Sequence, residues 1–323
     1  MLKLLMTRLK QGHRTSRYPF EEPVLSDRYR GRPVVDATQC PEGCGECIQA
    51  CPTDALARGV LGSDGGDGSG PPLTVDLGRC LFCTDCVEVC PAGAIRHSSD
   101  FRIAARSRAD LVVTGDARVR AARLESSMLR LFGRSLKLRQ VSAGGCNGCE
   151  ADVNVLGTIV FDLGRFGIQM VASPRHADGL LITGPVTENM KLALEKTYAA
   201  VPSPKLVIAV GACAISGGPY VDHPEVHNGA GATVPIDLYI PGCPPHPFAI
   251  LDGLLHLLGR IEEGRDLATS WAVRARAAAV EMDQNGEQEE ARSSLRHRAE
   301  DAARLLGAEP DDEREGREQR EER

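Results

Sequence analysis

The residues of this sequence whose type and spacing could do chemistry are its twelve cysteines, which fall into three sets of four with none left over. Thiolates spaced as C-x2-C are soft ligands for iron–sulfur clusters or for zinc. The first set is Cys40, Cys44, Cys47 and Cys51, the second is Cys80, Cys83, Cys86 and Cys90, and the third is Cys146, Cys149, Cys213 and Cys243.

The first two sets favour iron–sulfur clusters over zinc. Zinc sites are usually built from two separated C-x2-C knuckles or from mixed cysteine and histidine ligands. Here each set is one short run closed by Cys-Pro, and the second has the spacing C-x2-C-x2-C-x3-C-P. In two-cluster bacterial ferredoxins with that spacing, the fourth cysteine binds the other cluster. Three complete sets predict three 4Fe–4S clusters and a path for electrons, with zinc or disulfides as the alternatives.

The third set is dispersed, so other elements must bring its members together. Short apolar runs bounded by glycine or proline are typical of buried parallel strands. Such runs alternate here with helical patterns at 153–166, 187–200 and 247–260. We therefore predict an α/β domain with a doubly wound, flavodoxin-like parallel sheet. Its predicted strands are 136–141, 168–172, 180–183, 206–210 and 238–240.

The cysteines of the third set each follow one of these predicted strands. Cys146 and Cys149 follow the first strand, Cys213 follows the fourth and Cys243 follows the fifth. Open α/β sheets bind their ligands at the carboxyl ends of the strands, so the four thiols should converge there. Neighbouring glycines would let the backbone approach a cluster closely. The alternative is four buried free thiols that pack as small apolar groups.

Length and charge set further bounds. The chain has 323 residues and a net charge of −6, which gives no indication of nucleic-acid binding. The sequence has no run of 18 apolar residues, so we expect no transmembrane helix. Its first residues do not resemble a signal peptide. Residues 1–14 have an amphipathic helical pattern, with Leu2, Leu5, Met6 and Leu9 on one face. This pattern indicates contact with a membrane surface or with a partner subunit.

The motifs resemble those of one group of oxidoreductase subunits. The segments GGCNGCE (144–150), VIAVGACAISGG (207–218) and YIPGCPPHPFAILDGL (239–254) resemble the small subunit of group 4, energy-converting NiFe hydrogenases of the formate hydrogenlyase type. The 20 kDa subunit of complex I is homologous to it. The segments RGRP (30–33) and GRCLFCTDCVEVCPAGAI (78–95) resemble the two-cluster ferredoxin subunit of the same complexes. The chain thus resembles two neighbouring subunits fused into one polypeptide.

The resemblance implies a ligand assignment for three 4Fe–4S clusters. Cys146, Cys149, Cys213 and Cys243 would hold the proximal cluster. Cys40, Cys44, Cys47 and Cys90 would hold a second cluster, and Cys80, Cys83, Cys86 and Cys51 would hold a third. One departure is the C-x3-C spacing of Cys40 and Cys44, where the family usually has C-x2-C. This departure leaves the ligand role of Cys40 open.

The resemblance also implies partners and a location. The proximal cluster would face a large partner subunit, either the NiFe hydrogenase large subunit or a complex I 49 kDa-like subunit. Membrane subunits would hold the complex at the cytoplasmic face of the cell membrane, with this chain peripheral. The chain itself would be a non-catalytic electron-transfer subunit. The C-x-G-C spacing at 146–149 favours hydrogenase, because the complex I subunit usually has two adjacent cysteines there. A nickel-free relative stays open.

Two further predictions concern Glu150 and the organisation of the chain. Glu150 lies beside the third set, and its role is either that of a proton-path residue or that of a first-turn acid favoured by the helix dipole. The predicted order of segments is an amphipathic helix and strap (1–39), a two-cluster ferredoxin domain (40–99), a connector (100–134), the α/β domain (135–262) and a charged, helical to disordered tail (263–323).

Overall fold

The structure is a computed structural model that describes residues 2–261 except 13, 37, 42, 59–72, 116–120 and 134. The chain divides into two units, Met1–Glu263 and Gly264–Arg323, and every described residue belongs to the first. The predictions for the tail and for the glycine-rich segment 62–72 therefore lie outside the described residues. Within the described ranges, no helix has both the length and the apolar character needed to cross a bilayer.

The described elements are eight α-helices and ten strands, with short 3-10 turns between some of them. The helices are α1 (Leu2–Gln11), α2 (Glu46–Gln49), α3 (Asp85–Glu88), α4 (Ser126–Phe132), α5 (Gly148–Val155), α6 (Glu188–Ala200), α7 (Ala212–Ser216) and α8 (Pro247–Leu257). The strands are β1 (Pro33–Val35), β2 (Leu56–Arg58), β3 (Leu73–Asp76), β4 (Ile95–His97), β5 (Val112–Thr114), β6 (Leu136–Ser142), β7 (Ile168–Met170), β8 (Gly179–Thr183), β9 (Leu206–Val210) and β10 (Leu238–Ile240).

A five-stranded parallel sheet organises residues 135–261, which we call the sheet region. Its strand order is β10–β9–β8–β6–β7, and each neighbouring pair is parallel. The central strands β8 and β9 are buried along their whole length. This burial explains their continuous apolar sequences, since a strand covered on both faces cannot alternate with polar residues. The predicted α/β parallel sheet is confirmed.

Both faces of this sheet are covered by helices. On one face, Leu181 and Ile208 pack in the same core as Val153 of α5 and Leu254 of α8. On the other face, Leu180, Ile182 and Val207 share a core with Leu194 of α6. Successive residues of β8 therefore enter different cores, as the two-residue period of a strand requires.

The predicted helix over 153–166 is wrong beyond Val155. The structure has α5 over Gly148–Val155, followed by turns and a 3-10 turn over Leu163–Phe166. Asp162 has a φ of 46° and Gly167 a φ of 72°, and such left-handed residues interrupt a helix. The apolar spacing of the segment reflects its packing under the sheet rather than a continuous helix.

Two small antiparallel sheets organise residues 33–114, which we call the N-terminal region. One sheet pairs β1 with β4, and the other has the order β2–β3–β5. The strap thus contributes β1, and β5 comes from the segment predicted as a connector. The helices α2 and α3 have four residues each. Cys47 on α2 and Cys86 on α3 belong to the apolar core of this region.

The N-terminal region packs directly on the sheet region. Ala105 pairs with Tyr239 of the edge strand β10 through two backbone hydrogen bonds of 3.0 and 2.8 Å. Ile215 of α7 lies in the apolar core of the N-terminal region. The hydroxyl of Ser216 donates to the carbonyl oxygen of Gly78 at 2.9 Å. The helix that carries Cys213 is therefore held against the loop that leads to Cys80.

Candidate iron–sulfur sites

The third set of cysteines lies at one edge of the parallel sheet. Cys146 follows β6, Cys149 lies in the first turn of α5, Cys213 lies on α7 after β9, and Cys243 follows β10. Because these strands are parallel, the loops after them emerge at the same edge. Cys149 and Cys213 are buried, whereas Cys146 and Cys243 are exposed. Two thiols of this group thus lie in the protein interior, and the other two are accessible from the surface.

The charges of these four thiols act on one another. The pKa of Cys213 is raised to about 12, mainly by burial and then by the charges of Cys243 and Cys146. The pKa of Cys149 is also raised, by burial first and then by the charge of Cys213. Four thiolates so arranged repel one another without a cation. A bound metal reverses this preference, because cysteine binds metals as the thiolate.

Two glycines leave the space that these sulfur atoms occupy. A Cβ at Gly211 would lie 2.5 Å from the Sγ of Cys149, and one at Gly218 would lie 2.9 Å from the Sγ of Cys213. Both glycines have positive φ values, of 92° and 55°, which L side chains rarely adopt. The backbone therefore approaches the sulfur atoms more closely than any other residue type permits.

Glu150 lies next to this group and is buried. Its Oε1 accepts hydrogen bonds from the hydroxyl of Ser142 at 2.6 Å and from that of Thr183 at 2.7 Å. These donors come from the ends of β6 and β8. The carboxylate thus joins the first turn of α5 to two neighbouring strands, directly beneath the loop of Cys146 and Cys149.

The cysteines of the first two sets form two groups, and each group contains the last cysteine of the other set. Burial raises the pKa of Cys47, and the charges of Cys40, Cys44 and Cys90 raise it further. Cys90 belongs to the second run in sequence, yet it faces the first group. The backbone N–H of Ala94 donates to the Sγ of Cys90 at 3.3 Å.

The other group contains Cys80, Cys83, Cys86 and Cys51. Burial raises the pKa of Cys80 to about 12, with smaller contributions from the other three thiolates. Burial likewise raises the pKa of Cys86 to about 11, assisted by the charges of Cys83 and Cys51. The N–H of Ala55 donates to the Sγ of Cys51 at 3.2 Å, which mirrors the bond from Ala94 to Cys90. The grouping is the one that the resemblance implied, and the ligand roles stay a prediction.

The three groups lie in series. The charge of Cys47, from the first group, raises the pKa of Cys86 in the second. The charge of Cys83, from the second group, raises the pKa of Cys243 in the third, after larger contributions from burial and Cys146. The group built on the second run is therefore between the other two.

The donor sets fit iron–sulfur clusters. Each group has four thiols, backbone N–H groups are directed at several sulfur atoms, and glycines at 211 and 218 leave room beside the third set. Among the described residues, no three His, Cys, Asp or Glu side chains lie close enough to bind one metal ion. That finding concerns single ions, whereas each cysteine of a 4Fe–4S cluster binds its own iron atom.

Two side chains that the sequence patterns did not single out contact the cysteine loops. Arg58 donates to the carbonyl oxygen of Cys44 from Nη2 at 2.8 Å and from Nε at 3.1 Å. The Nε2 of His97 lies 2.8 Å from the carbonyl oxygen of Cys83. The signal that could have found them is the duplication itself, since CPTDALAR (51–58) and CPAGAIRH (90–97) end on these two residues.

Comparison with known proteins matches two separate segments of the chain to two families. Residues 39–94 match the family described as 4Fe-4S dicluster domain, and residues 146–257 match the family described as NADH ubiquinone oxidoreductase, 20 Kd subunit. The probable membrane-bound hydrogenase subunit mbhJ of Pyrococcus furiosus is 39% identical over 136 residues, which are 42% of this chain and 81% of that protein. The chain belongs to the 20 kDa subunit family. The resemblance predicted from the motifs is thereby confirmed.

Other members of the 20 kDa subunit family are similar to the same degree. The corresponding NADH-quinone oxidoreductase subunit of Clostridium beijerinckii is 43% identical over 123 residues, which are 38% of this chain and 73% of that protein. Formate hydrogenlyase subunit 7 of Escherichia coli (strain K12) is 44% identical over 142 residues, which are 44% of this chain. The match spans only 56% of the length of the formate hydrogenlyase subunit.

Proposed function

We propose that the chain is an electron-transfer subunit that carries three 4Fe–4S clusters in a membrane-associated group 4 NiFe hydrogenase complex. It would pass electrons to or from the active site of a large partner subunit and would not itself be catalytic. The proposal includes the predicted segment boundaries, a doubly wound order for the sheet and the ligand assignment of all twelve cysteines. Similarity to hydrogenase subunits and the C-x-G-C spacing at 146–149 support the hydrogenase branch.

The observation that carries this proposal is the serial order of the three cysteine groups. Cys47 and Cys86 interact across the first pair of groups, and Cys83 and Cys243 interact across the second pair. A chain that bound clusters only for stability would have no need to place the three groups near one another. The packing of α7 against the N-terminal region holds the third group beside the second. Ser216 and Ile215, which make these contacts, are close to Cys213 in sequence.

The side chains and backbone would have separate tasks in this function. A 4Fe–4S cluster supplies a reversible redox centre whose potential depends on hydrogen bonds to sulfur, net charge and exposure. The thiolates would hold the clusters, and the N–H groups of Ala55, Phe82 and Ala94 would donate to cysteine sulfur. The apolar core around Cys47 and Cys86 would exclude water from the first two groups.

The exposed side of the third group is the proposed interface with the large subunit. Cys146 and Cys243 are its exposed members, so a partner could approach this group more closely than the other two. Glu150 has two interpretations. Its hydrogen bonds from Ser142 and Thr183 support a bracing role, and a place in a proton path is the second interpretation.

The membrane part of the proposal rests on the N-terminal helix and on relatives named as parts of membrane-bound complexes. Helix α1 covers Leu2–Gln11, as the pattern predicted. The side-chain positions of Leu2, Leu5 and Leu9 lie outside the described part of the chain. Attachment at the cytoplasmic face, through α1 or through membrane subunits, stays a prediction.

A second candidate function is the equivalent subunit of a complex I-like quinone oxidoreductase or of a nickel-free relative. The observation that favours it is the identity to the NADH-quinone oxidoreductase subunit of Clostridium beijerinckii, 43% against 44% for the formate hydrogenlyase subunit. The partner decides between the two. Nickel in the purified complex and hydrogen turnover would support hydrogenase, whereas quinone reduction without nickel would support the alternative.

The cluster content is the direct test of the proposal. The anaerobically purified full chain should contain about twelve iron and about twelve acid-labile sulfide per polypeptide, with negligible zinc. Replacing Cys40 with Ala should remove about four of each if Cys40 is a ligand despite its C-x3-C spacing. About eight iron in the unmodified chain, or stoichiometric zinc, would contradict the assignment.

A further inference from the structure

The duplicated halves of the N-terminal region place two different side chains at equivalent positions. Arg58 ends β2 and follows Cys51 at the same spacing at which His97, the end of β4, follows Cys90. Both contact the carbonyl oxygen of the second cysteine of a set, which is Cys44 for Arg58 and Cys83 for His97. The two residues thus share one task, which is to hold a cysteine loop against the end of a strand.

The two residues differ in what else they reach. The second ring nitrogen of His97 lies 2.9 Å from the carbonyl oxygen of Gly31, in the strap. The Nη2 of Arg58 instead lies 3.2 Å from the Sγ of Cys40 and 3.2 Å from the carbonyl oxygen of Pro41. Only the first cysteine group therefore receives a charged donor on a sulfur atom from this pair of positions.

The contact of Arg58 coincides with the one departure in cysteine spacing. The additional residue of the C-x3-C run lies between Cys40 and Cys44, and the guanidinium bonds Cys40, Pro41 and Cys44 at once. A planar guanidinium with several N–H donors can serve acceptors on different parts of a loop. Its hydrogen bonds therefore hold Cys40 and Pro41 beside Cys44.

We propose that Arg58 is a positioning and tuning residue for the cluster at Cys40, Cys44, Cys47 and Cys90. It keeps Cys40 in place across the lengthened loop, and it raises the reduction potential of this cluster relative to the one at Cys80, Cys83, Cys86 and Cys51. This inference rests on the proposed function, because it requires a cluster at the first group.

The direction of the effect follows from charge. Reduction adds one negative charge to the cluster and its thiolates, and a cation bonded to a sulfur stabilises that additional charge. Arginine side chains stay charged at physiological pH, so the effect of this charge on the reduction potential should not depend on pH. Two carbonyl oxygens share the guanidinium but carry no net charge to cancel it. An electron is therefore held more strongly at this end of the series than at the middle group.

The test compares four forms of the full chain, purified anaerobically: the unmodified protein, Arg58→Gln, Arg58→Lys and Arg96→Gln. Arg96 is the matched control, because it lies on β4 next to His97 and is exposed. Arg96→Gln removes the same charge as Arg58→Gln. In the described part of the chain, Arg96 has no hydrogen bond to a cysteine that could be lost with it. Iron and sulfide are counted first, and each cluster is then followed by EPR during a redox titration.

We expect Arg58→Gln to lower one midpoint only. At a fixed potential, the ratio of reduced to oxidised cluster should fall about tenfold, which corresponds to about 59 mV for a one-electron couple. The midpoint potential of this cluster in Arg58→Lys should lie between those of Arg58→Gln and the unmodified protein, because one ammonium group cannot bond three acceptors at once. The Arg96→Gln midpoints should not change. Loss of about four iron in Arg58→Gln would support the positioning role, and Arg58→Lys would then decide the tuning role.

Two results would overturn the inference while leaving the proposed function intact. One is twelve iron with unchanged midpoints in both Arg58 variants, which would make the contact a loop brace alone. The other is an equal shift in Arg96→Gln, which would make the effect one of overall charge. Eight iron in the unmodified chain is a different failure, because it would remove the cluster itself and contradict the proposed function as well.

Discussion

The two parts of the molecule assemble their cysteines in opposite ways. In the N-terminal region, each set is contiguous in sequence, and the elements around it are strands of three or four residues and helices of four. In the sheet region, the four cysteines are spread from 146 to 243, and a five-stranded parallel sheet brings them together. The N-terminal region surrounds its cysteines with little other structure, whereas the sheet region has a large core in which Cys149 is one member among many apolar side chains.

This difference indicates where the clusters contribute to stability. Isolated helices of one turn and strands of three residues are not stable in water by themselves. In the N-terminal region, Cys47 and Cys86 are themselves part of the apolar core. In the sheet region, Cys149 is also a core residue, but five strands and the helices on both faces supply two apolar cores built mostly from other side chains. We infer that the N-terminal region requires its clusters to fold, and that the sheet region requires its cluster only for electron transfer.

The largest expected effect is that of removing all iron. Chelation should unfold the N-terminal region and leave the sheet, because metal binding energy is folding energy where no sufficient core exists. Hydrogen exchange of the chelated full chain should show loss of protection in β2, β3 and β4, with β8 and β9 still protected. Equal loss of protection in both regions would contradict the comparison. Refolding on adding iron and sulfide provides the control for irreversible damage.

The second effect is that of replacing one cysteine in each region. Cys149→Ala should lose about four iron and abolish electron exchange with the large subunit, while the N-terminal clusters assemble and accept electrons from a reductant. Cys86→Ala is the corresponding variant in the N-terminal region. It should lose about eight iron, because Cys86 lies in the core shared by both N-terminal groups. Loss of the N-terminal cluster signals in Cys149→Ala would contradict the separation of the two regions.

The sequence predicted the parts of this comparison that depend on local pattern. The second cysteine run has a known spacing, the first differs from it by one residue, and β8 and β9 are apolar along their whole length, so all of these were predictable from the sequence. The placement of Cys213 and Cys243 was also predictable, because each follows a strand of a parallel sheet. For these elements the local pattern was sufficient, whereas it failed for the helix predicted over 153–166.

The remaining features depend on contacts between distant segments, which a single sequence does not reveal. Strand β5 is a β-branched run of only three residues, VVT (112–114), which is too short to predict a strand by itself, and pairing with β3 makes it one. The segment 156–162 has helical spacing but is not helical, and one of its contacts is the hydrogen bond from the N–H of Ser16, in the strap, to the carbonyl oxygen of Val160. The contacts of Ser216 with Gly78 and of Ala105 with Tyr239 join residues far apart in sequence.

A third, smaller effect concerns the strap that joins the two regions. The hydroxyl of Tyr18 donates to Oδ1 of Asp252 on α8 at 2.5 Å, and its ring packs against Phe101 and Phe248. Tyr18→Phe keeps the ring and removes the hydrogen bond to a buried carboxylate. We expect the free energy of unfolding to fall by about 1.5–3 kcal/mol, measured by denaturant unfolding with the clusters present. Tyr220→Phe, at an exposed hydroxyl, is the control and should change little.

The pH dependence of this pair has a definite sign. Burial, and then the charge of Asp252, raise the pKa of Tyr18 well above its usual value. In the unfolded chain the hydroxyl ionises near pH 10, whereas in the folded chain it stays protonated. The contribution of Tyr18 is therefore complete below about pH 10 and is lost as the pH rises further. The difference between the unmodified chain and Tyr18→Phe should shrink above that pH, and a difference that grew there would contradict the account.

The smallest expected effect is at the junction itself. The hydroxyl of Ser216 donates to Gly78 of the N-terminal region at 2.9 Å and lies 3.1 Å from the carbonyl oxygen of Ala212. Ser216→Ala leaves the Gly78 carbonyl without this donor, at a cost of about 1 kcal/mol. Thr158→Ala is the matched control, because the Thr158 hydroxyl donates to Val155 within the sheet region alone.

If the regions are separate folding units held together by a few contacts, Ser216→Ala should act at the junction only. Hydrogen exchange should rise about fivefold in the peptides around Gly78 and α7, and neither sheet should change. Thr158→Ala should leave the peptides around Gly78 unaffected. Electron exchange between the second and third groups should stay near its original rate, because the Ala105–Tyr239 pair and Ile215 still hold the two regions in place. A general loss of protection in Ser216→Ala would mean that the two regions fold as one unit, since a single hydroxyl would then stabilise both cores together.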